Sequence, residues 1–435
     1  MTDFTDIVAN QKEELEELLS QRIVERRPMS RMELNAPFAQ VAIGVRRCGK
    51  SVVCRTALSR LGEPFGYVNF DDEKLDGIKA SDLDDVLKAV LVVYGPVKRL
   101  FFDEIQDAPS WPLFVNRLLR KGFRIVISGS NARLLSSDLA THLTGRHVAT
   151  EIFPFSFAEY RKFLGRGTPR TTSAKAEARR DYERYMRFGG LPETFSLQDP
   201  RGYLRSLFDS ILFRDIFRRH NLRNPKMFSD VAKLVMESYG REVSPSRIAS
   251  RLGIRSSHTV DNYIRYMESA YLVQTIYRFS HKTAERLRIG KVYTIDLGFA
   301  SFFTGVSEWD ESRGRRLENA VFLALRSMRE EEDREITYYR DQSHEVDFVI
   351  VRLGKAVKLV QVAHSIDNPA TRKRELSALF AVGEKLGCDD LLLVTDHENG
   401  TESNGRRTVR IVDAVTWLLE ESAPSPLPQT RIERN

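Results

Sequence analysis

The sequence has 435 residues, of which 42% are hydrophobic and 29% charged, and its formal net charge at pH 7 is +7. This length predicts two or three domains, and the composition is typical of a globular protein. No run of about 18 apolar residues occurs, which excludes a membrane-spanning helix, and the first residues carry acids instead of an apolar signal segment. Three scattered cysteines fit reduced thiols, and eight dispersed histidines disfavour a zinc site. We therefore expect a cytoplasmic protein without membrane contact, and the mild positive charge hints at an anionic partner.

Residues 1–37 read as an N-terminal extension, with a charged helix predicted over residues 10–27 and ended by Pro28. From residue 38 to residue 155, short β-rich runs alternate with helical patterns. The alternation predicts an α/β fold whose parallel sheet is covered by helices on both faces. The predicted strands are residues 40–45, 65–70, 97–103, 123–128 and 147–153, and the predicted helices are residues 51–60, 81–93, 111–121 and 132–139.

The rest of the chain divides into four regions by pattern. Residues 156–240 are largely helical, and residues 241–291 read as a compact winged-helix-like unit. Residues 292–420 return to an α/β pattern, with strands predicted at 336–340, 346–351, 358–362 and 391–395. The tail, residues 421–435, is rich in Pro, Ser and charge and is expected to be disordered.

A phosphate-binding loop follows the first predicted strand, because residues 44–51 fit the pattern G-x-x-x-x-G-K-[ST] at every fixed position. In such a loop successive backbone N–H groups point at the phosphates, and the following helix adds its positive N-terminal dipole. Lys50 is expected to reach the β- and γ-phosphates of ATP, and the Ser51 hydroxyl to help hold magnesium. The nucleotide-contacting residues are expected to be Gly44, Arg46, Arg47, Cys48, Gly49, Lys50, Ser51 and Val52. The alternative is a glycine-rich turn without a ligand.

Two carboxylates, Asp103 and Glu104, end the apolar predicted strand over residues 97–103. This is the Walker B arrangement, in which Asp103 would hold the magnesium shell and Glu104 would orient or deprotonate the attacking water. The alternative is a strand that ends in surface acids by chance. The presence of Lys50 upstream favours the catalytic interpretation.

Two further polar positions are candidates for catalysis. The strand that ends at Ser128 is followed by Ser130 and Asn131, and a polar residue at this strand tip can sense the γ-phosphate. Asn131 is the first choice, Ser130 is the second, and a simple turn that caps the next helix is the alternative. Arg146 follows a glycine just before the last strand, where it could complete a neighbouring subunit's site as an arginine finger. Its alternative is an ordinary surface arginine.

Taken together, these motifs resemble those of a prokaryotic AAA-type ATPase family, in which a P-loop AAA domain is fused to a C-terminal half of unassigned function. The resemblance runs from about residue 38 to about residue 420. It implies an ATP-binding, ATP-hydrolysing protein and leaves the biological role open. Cys48 stands where a small or apolar residue is expected. The motifs that carry the resemblance are residues 44–51, 102–106, 128–131, 144–146, 153–160, 189–192, 214–216 and 345–349.

Residues 244–279 read as helix, turn, helix and then a hairpin-like strand, the order of a winged helix-turn-helix. In the second helix Val260, Tyr263, Ile264 and Met267 share one face. Residues 241–291 contain ten Lys and Arg against four Asp and Glu, a net charge of +6. This concentration favours contact with DNA phosphates, and the alternative is a winged helix used for packing. The expected DNA-binding residues are Arg247, Arg251, Arg255 and Arg265.

The C-terminal region has the element order of a restriction-endonuclease-like fold, with Glu318 on a helix and Asp347 in a strand. An active site of this type needs a second strand acid followed two residues later by lysine. Gln361 and Ala363 occupy those positions, so metal would be held weakly and water would not be activated. We expect an inactive domain, and the alternative is that Glu318 and Asp347 are ordinary exposed acids.

The sequence thus predicts an oligomeric, magnesium-dependent ATPase that acts as a motor or remodeller on DNA or on a DNA-bound protein partner. The alternative is a slow nucleotide-controlled switch whose ADP and ATP states hide or expose the winged helix. A nuclease is a third, disfavoured hypothesis.

Overall fold

Five parallel strands form the first sheet of the computed structural model, which describes residues 4–20, 23–129, 143, 145–280, 290–303, 312–332 and 334–421. In chain order they are β1 (Ala39–Ile43), β2 (Gly66–Asn69), β3 (Arg99–Asp103), β4 (Arg124–Gly129) and β5 (His147–Glu151). The spatial order is β2-β3-β4-β1-β5, and every pairing is parallel. All five residues of both β1 and β3 are buried, as expected of parallel strands with both faces covered. The predicted α/β class with a parallel sheet is confirmed.

The helices around this sheet lie close to the predicted positions, with one clear difference at the N-terminus. They are Phe4–Ser20, Arg27–Arg31, Lys50–Ser59, Leu83–Tyr94 and Trp111–Arg120. The first begins six residues before the predicted helix, because Ile7, Val8 and Leu15 bury an apolar stripe against the domain. Pro28 lies in the first turn of the second helix, where its missing N–H is tolerated. The helix predicted over residues 132–139 lies outside the described residues, as does almost all of the tail predicted over residues 421–435.

A helical segment joins the first sheet to the rest of the chain. Its helices are Phe157–Phe163, Thr172–Phe188, Arg201–Ser210, Arg218–His220 and Pro225–Glu237, with a π-helix, Ile211–Phe217, inserted before Arg218. The first of them starts with a capping box, in which the Ser156 hydroxyl accepts from the Glu159 N–H and the Glu159 carboxylate accepts from the Ser156 N–H. This local signal fixes where the chain turns away from the sheet.

A second, smaller sheet is antiparallel and has three strands, β6 (Arg241–Val243), β7 (Val273–Tyr277) and β8 (Gly290–Thr294), in the order β6-β8-β7. Between β6 and β7 lie two helices, Pro245–Leu252 and Ser257–Ser269. The second buries Val260, Tyr263, Ile264 and Met267, which confirms the predicted apolar face. Strand β8 runs across the predicted boundary between residues 291 and 292, because its partners are β6 and β7.

The third sheet has six strands in the order β13-β14-β12-β11-β10-β9. Strands β11, β12 and β14 are mutually parallel, whereas β9, β10 and β13 pair antiparallel with their neighbours. One face packs against the helix Arg313–Glu332, and the other against Pro369–Leu386. Phe279 donates its N–H to the Tyr338 carbonyl at 2.7 Å, which links the second sheet to the third. The bounds are β9 Glu335–Arg340, β10 Glu345–Arg352, β11 Lys355–Ala363, β12 Leu391–Thr395, β13 Gly400–Ser403 and β14 Thr408–Asp413, with helices Leu297–Phe303 and Ala414–Glu421. Within the described ranges no helix is long and apolar enough to cross a membrane.

Candidate functional site

The loop between β1 and the helix Lys50–Ser59 has the backbone that a phosphate cradle requires. Gly49 has a φ of 94°, in the left-handed region that side-chain-bearing residues avoid. At Gly44 a Cβ atom would lie 2.1 Å from the Ile152 carbonyl oxygen, so only glycine fits. Because the helix begins at Lys50, its free N–H groups point into the loop.

Lys50 is buried inside this loop, with 4% of the residue exposed. Its ammonium donates to the carbonyl oxygens of Gly44 at 3.2 Å and Val45 at 3.1 Å. These are weak, neutral acceptors, so a phosphate oxygen would be a stronger partner for the same charge. Cys48 is buried and donates its thiol to the Ile152 carbonyl at 3.1 Å. Burial raises the pKa of Cys48, so the thiol stays protonated and ties the loop to the end of β5.

Asp103 and Glu104 lie at the same carboxyl edge of the sheet as the loop. Asp103 is 5% exposed, and its carboxylate accepts from the hydroxyls of Ser128 and Ser51. Burial, and then the charge of Glu104, raise the pKa of Asp103, while the two serines and Lys50 oppose the rise. Ser128 was not singled out from the sequence as a site residue, although a serine within a buried strand is an available signal.

Glu104 is half-buried and adopts a φ of 52°, a left-handed conformation for a side-chain-bearing residue. Such backbone strain is found most often at functional sites. Its N–H donates to the Ser128 carbonyl at 2.9 Å, which fixes the residue at the tip of β3. The Gln106 amide donates to the Glu104 carboxylate and holds it at the sheet edge.

Arg26 is a site-supporting residue that the sequence did not indicate. Only 4% of it is exposed, and its guanidinium donates to the Cys48 carbonyl at 2.9 Å and the Phe153 carbonyl at 2.7 Å. It also pairs with Glu159 at 3.1 Å and lies over the Phe155 ring at 4.4 Å. One arginine thus fastens the P-loop to the chain that leaves the sheet.

The paired arginines of the loop contact different parts of the helical segment. Arg46 forms a two-point ion pair with Asp215, at 3.2 and 3.3 Å. Arg47 is exposed and lies 3.6 Å from Glu193. Beside Arg46 opens a cavity of about 590 Å³, whose walls include Asp71, Arg214, Asp215, Gln106, Arg218 and Arg219. Val52, the last expected nucleotide contact, lies half-buried in the first turn of the helix.

Arg146 lies at the other end of the sheet from the P-loop. It is exposed, it immediately precedes β5, and its carbonyl accepts from the first residue of β1, Ala39, at 3.0 Å. The P-loop follows the last residue of β1, one strand length away, or roughly 16 Å at about 3.3 Å per residue. Arg146 therefore lies at the opposite end of β1 from the P-loop of its own chain. Asn131 and Ser130 lie outside the described residues.

The four arginines expected to bind DNA are all exposed. Arg247 and Arg251 lie one turn apart on the helix Pro245–Leu252, and Arg255 lies in the following turn. In the described part of the chain these three have no carboxylate within ion-pair distance. Arg265, on the helix Ser257–Ser269, pairs with Asp261 at 3.0 Å, although its side chain is 70% exposed.

Glu318 and Asp347, expected at a degenerate nuclease centre, do lie together, but a lysine lies between them. Lys291, from β8, places its ammonium 3.2 Å from Asp347, 3.4 Å from Glu318 and 2.7 Å from Glu345. The positive charge beside these acids therefore comes from a lysine of another sheet. Within the described residues no group of three or more His, Cys, Asp or Glu side chains is arranged to hold a metal ion.

Burial and neighbouring charges together set the pKa values of this cluster. Burial lowers the pKa of Lys291, but the charges of Asp347, Glu318 and Glu345 outweigh it and raise that pKa above its usual range. Burial also raises the pKa of both Glu318 and Asp347. Gln361 accepts from the Asp347 N–H at 3.2 Å and donates to Glu375 at 2.7 Å, so its amide has a structural role.

Comparisons with known proteins match three parts of the chain to families. Residues 38–161 match the family described as "AAA domain". Residues 179–310 and 313–414 match two families, each described as a domain of unknown function (DUF8612 and DUF4143).

Two uncharacterized relatives match nearly the whole chain. The protein from Methanocaldococcus jannaschii is 34% identical over 396 residues, which cover 87% of this chain and 88% of the relative. The protein from Haemophilus influenzae is 29% identical over 399 residues, which cover 88% of this chain and 94% of the relative.

Two solved structures are similar at low identity. A Walker-type ATPase of Pyrococcus abyssi is 14% identical with a TM-score of 0.42, covering 66% of this chain and 99% of its own. Cdc6p of Pyrobaculum aerophilum is 14% identical with a TM-score of 0.26, covering 68% of this chain and 92% of its own. The parallel sheet, its P-loop and the 34% identical relative from Methanocaldococcus jannaschii together identify the family of the chain. The chain belongs to the prokaryotic family that joins an AAA-type P-loop ATPase domain to a C-terminal domain of unknown function.

Proposed function

We propose that this chain hydrolyses ATP at the P-loop, with magnesium as cofactor. The observation that supports this most strongly is the meeting of Lys50, Asp103 and Glu104 at one sheet edge, although they come from separate elements. Lys50 would bind the β- and γ-phosphates, and Glu104 would orient or deprotonate the attacking water. Bound nucleotide would displace Lys50 from the Gly44 and Val45 carbonyls.

The residues around Asp103 fit a magnesium ion. Burial raises the pKa of Asp103, which means that the surrounding protein does not fully compensate its negative charge. A divalent cation beside this carboxylate would supply the missing positive charge. Ser51 and Asp103 would hold the ion, and phosphate oxygens and water would complete its preferred six oxygen ligands. Magnesium would neutralise the charge that develops on the transferred phosphoryl group.

We propose further that the ATPase acts on DNA or on a DNA-bound protein through residues 241–294. This region has the element order of a winged helix-turn-helix. Its exposed arginines Arg247, Arg251 and Arg255 lack acidic partners within the described residues, as phosphate-binding side chains would. A motor of this kind would work as an oligomer, with Arg146 acting on the site of a neighbouring subunit.

A slow nucleotide switch is the second candidate, and one contact favours it. One oxygen of the Glu104 carboxylate accepts from the Gln106 amide, which leaves fewer acceptor sites for the proton of the attacking water. A switch of this type would bind ATP tightly, hydrolyse it slowly, and expose or hide the helix-turn-helix according to the nucleotide.

Steady-state ATP turnover separates the two candidates. It should be measured with and without duplex DNA across a range of protein concentrations. A motor needs about one turnover per second or faster, a rise with DNA and a rise with concentration as oligomers form. Slow ATP turnover whose rate is the same with and without DNA supports the switch. No nucleotide binding and no hydrolysis would exclude both.

For the C-terminal domain we propose assembly or partner docking and no nuclease activity. The ammonium of Lys291 occupies the space between the carboxylates where a metal would have to lie. Gln361, moreover, is a neutral amide where a second strand acid would be needed.

A further inference from the structure

Two of the three guanidinium nitrogens of Arg46 bind Asp215, and the third, Nη1, does not. Nε and Nη2 donate to the two carboxylate oxygens of Asp215, and Nη1 lies 4.0 Å from Asp71. The Asp215 side chain is 4% exposed and that of Arg46 is 18% exposed. A two-point pair of this kind fixes the plane of the guanidinium. Nη1, with two N–H groups, is therefore presented in a fixed direction.

Nη1 lies on the side of Asp71, and Arg46, Asp71 and Gln106, the amide that contacts Glu104, line the same cavity. Arg46 is the third residue of the loop, next to the Gly44 and Val45 carbonyls that hold Lys50. Burial lowers the pKa of Arg46, but Asp215, Glu104 and Asp71 outweigh it and raise that pKa. Glu104, the expected base, is thus near enough to influence the guanidinium. The cavity of about 590 Å³ beside Arg46 is large enough for a phosphate, and its lining carries four arginines (Arg46, Arg214, Arg218 and Arg219) and five acids (Asp71, Asp72, Glu73, Asp76 and Asp215).

Asp215 also belongs to a segment that reaches the helix-turn-helix. It lies in the π-helix Ile211–Phe217, which continues into Arg218–His220. The His220 ring stacks on Tyr266 of the helix Ser257–Ser269, with centroids 3.7 Å apart and planes at 18°. Arg214 of the same segment pairs with Asp71 at 3.0 Å.

We propose that Arg46 is a catalytic residue that binds the γ-phosphate of ATP through Nη1, and that Asp215 is its positioning residue. This inference rests on the proposed ATPase function. When ATP binds, Nη1 moves from Asp71 to the γ-phosphate. ADP lacks the γ-phosphate, so in the ADP state Nη1 stays beside Asp71. The difference is transmitted through residues 211–220 to Tyr266, so the nucleotide state changes the second helix of the helix-turn-helix.

The first test compares binding of fluorescent mant-ADP and mant-AMP-PNP, with magnesium, to full-length variants. Arg46→Gln should weaken AMP-PNP binding about tenfold, the effect of one charge-assisted hydrogen bond, and change ADP binding less than about twofold. Because Arg46→Gln leaves Asp215 buried without its partner, the double variant Arg46→Gln/Asp215→Asn should show the same selective loss. Asp199→Asn, which breaks an exposed aspartate–arginine pair at the start of the same helical stretch, should match wild type.

Asp215→Asn alone should lower kcat more than it raises KM, since the phosphate contact remains but is misdirected. Hydrogen exchange of residues 211–220 and 257–269 should differ between the ADP and AMP-PNP states of wild type, and not in Arg46→Gln. Equal loss of ADP and AMP-PNP binding, or identical exchange in both wild-type states, would overturn the inference while the ATPase assignment stands. Failure of wild type to bind either nucleotide would overturn both.

Discussion

The ammonium of Lys291 lies 3.2 Å from a carboxylate oxygen of Asp347, although the two residues come from different sheets. Glu318 and Glu345 contact the same ammonium. The lysine therefore serves as the resident cation of a buried acid cluster and joins β8 to the C-terminal sheet. Removing one partner of such a cluster leaves uncompensated buried charge, which typically costs about 3–5 kcal/mol.

We expect pure protein to leave supercoiled and linear DNA intact in magnesium and in manganese. Lys291→Met should lower the unfolding temperature and make it rise with added Mn²⁺, because the acids then lack a cation. The exposed Lys385→Met, which loses a surface pair with Asp341 and a contact with the Tyr339 ring, is the matched control. Differential scanning fluorimetry measures the unfolding temperature, and a gel assay measures DNA cleavage. DNA cleavage by wild type that disappears in Asp347→Ala would show that the domain is a nuclease after all.

Substitution of the P-loop lysine and of the expected base should have different effects. Lys50→Ala should abolish nucleotide binding, because the phosphate charge loses its main partner. Glu104→Gln should still bind ATP but lose turnover, because only activation of water is removed. Nucleotide binding and phosphate release are measured separately for each variant. Wild-type hydrolysis by Glu104→Gln would mean that the Walker B assignment is wrong.

Arg146 should act between subunits, since it lies one strand length from the P-loop of its own chain. Arg146→Ala is expected to bind ATP normally and hydrolyse it poorly. Mixing it with Lys50→Ala subunits, which still supply the arginine, should restore part of the activity. The experiment requires that oligomers be demonstrated by light scattering. No recovery in confirmed mixed oligomers would point to a structural role for Arg146.

The double variant Arg251→Ala/Arg255→Ala should weaken duplex DNA binding and reduce its dependence on salt. Each lost phosphate contact removes about one unit from the slope of log affinity against log salt. Fluorescence anisotropy at several salt concentrations gives both quantities. Arg60→Ala/Arg406→Ala removes the same charge from exposed sites elsewhere and should leave the slope unchanged. If the Arg251/Arg255 variant also keeps the wild-type slope, these helices serve packing.

Asp296 should make stability depend on pH. Burial raises the pKa of Asp296 to about 7, although the N–H groups of Gly190 and Gly298 oppose the rise. The folded state therefore binds the proton between about pH 4 and about pH 7 while the unfolded state has released it. Stability contributed by the protonated acid is complete below pH 4 and falls as pH rises towards 7, at a slope approaching about 1.4 kcal/mol per pH unit.

Asp296→Asn should lack this component of the slope in urea unfolding at several pH values. The exposed Asp389→Asn serves as control and should retain it. Identical pH profiles for wild type and Asp296→Asn would mean that Asp296 is ionised in the folded protein throughout this range.

The sequence alone determined the α/β fold of the first domain and the position of the P-loop within it. The P-loop, the acids after β3 and the alternation of strand and helix are local patterns, and local patterns fix backbone conformation and which face is buried. The apolar face of the helix Ser257–Ser269 was predictable for the same reason. Its bounds and those of the central strands differ from prediction by a few residues, as helix and strand ends usually do.

Only the tertiary structure decided which distant side chains complete each site. Arg46 and Asp215 are 169 positions apart, and Lys291 and Asp347 are 56 apart. Arg26 reaches Glu159 across 133 positions. A single arginine, lysine or aspartate carries no periodic signal of its partner. Which residue such a side chain contacts depends on the path of the folded chain, and that path is set by the packing of whole sheets and helices against one another.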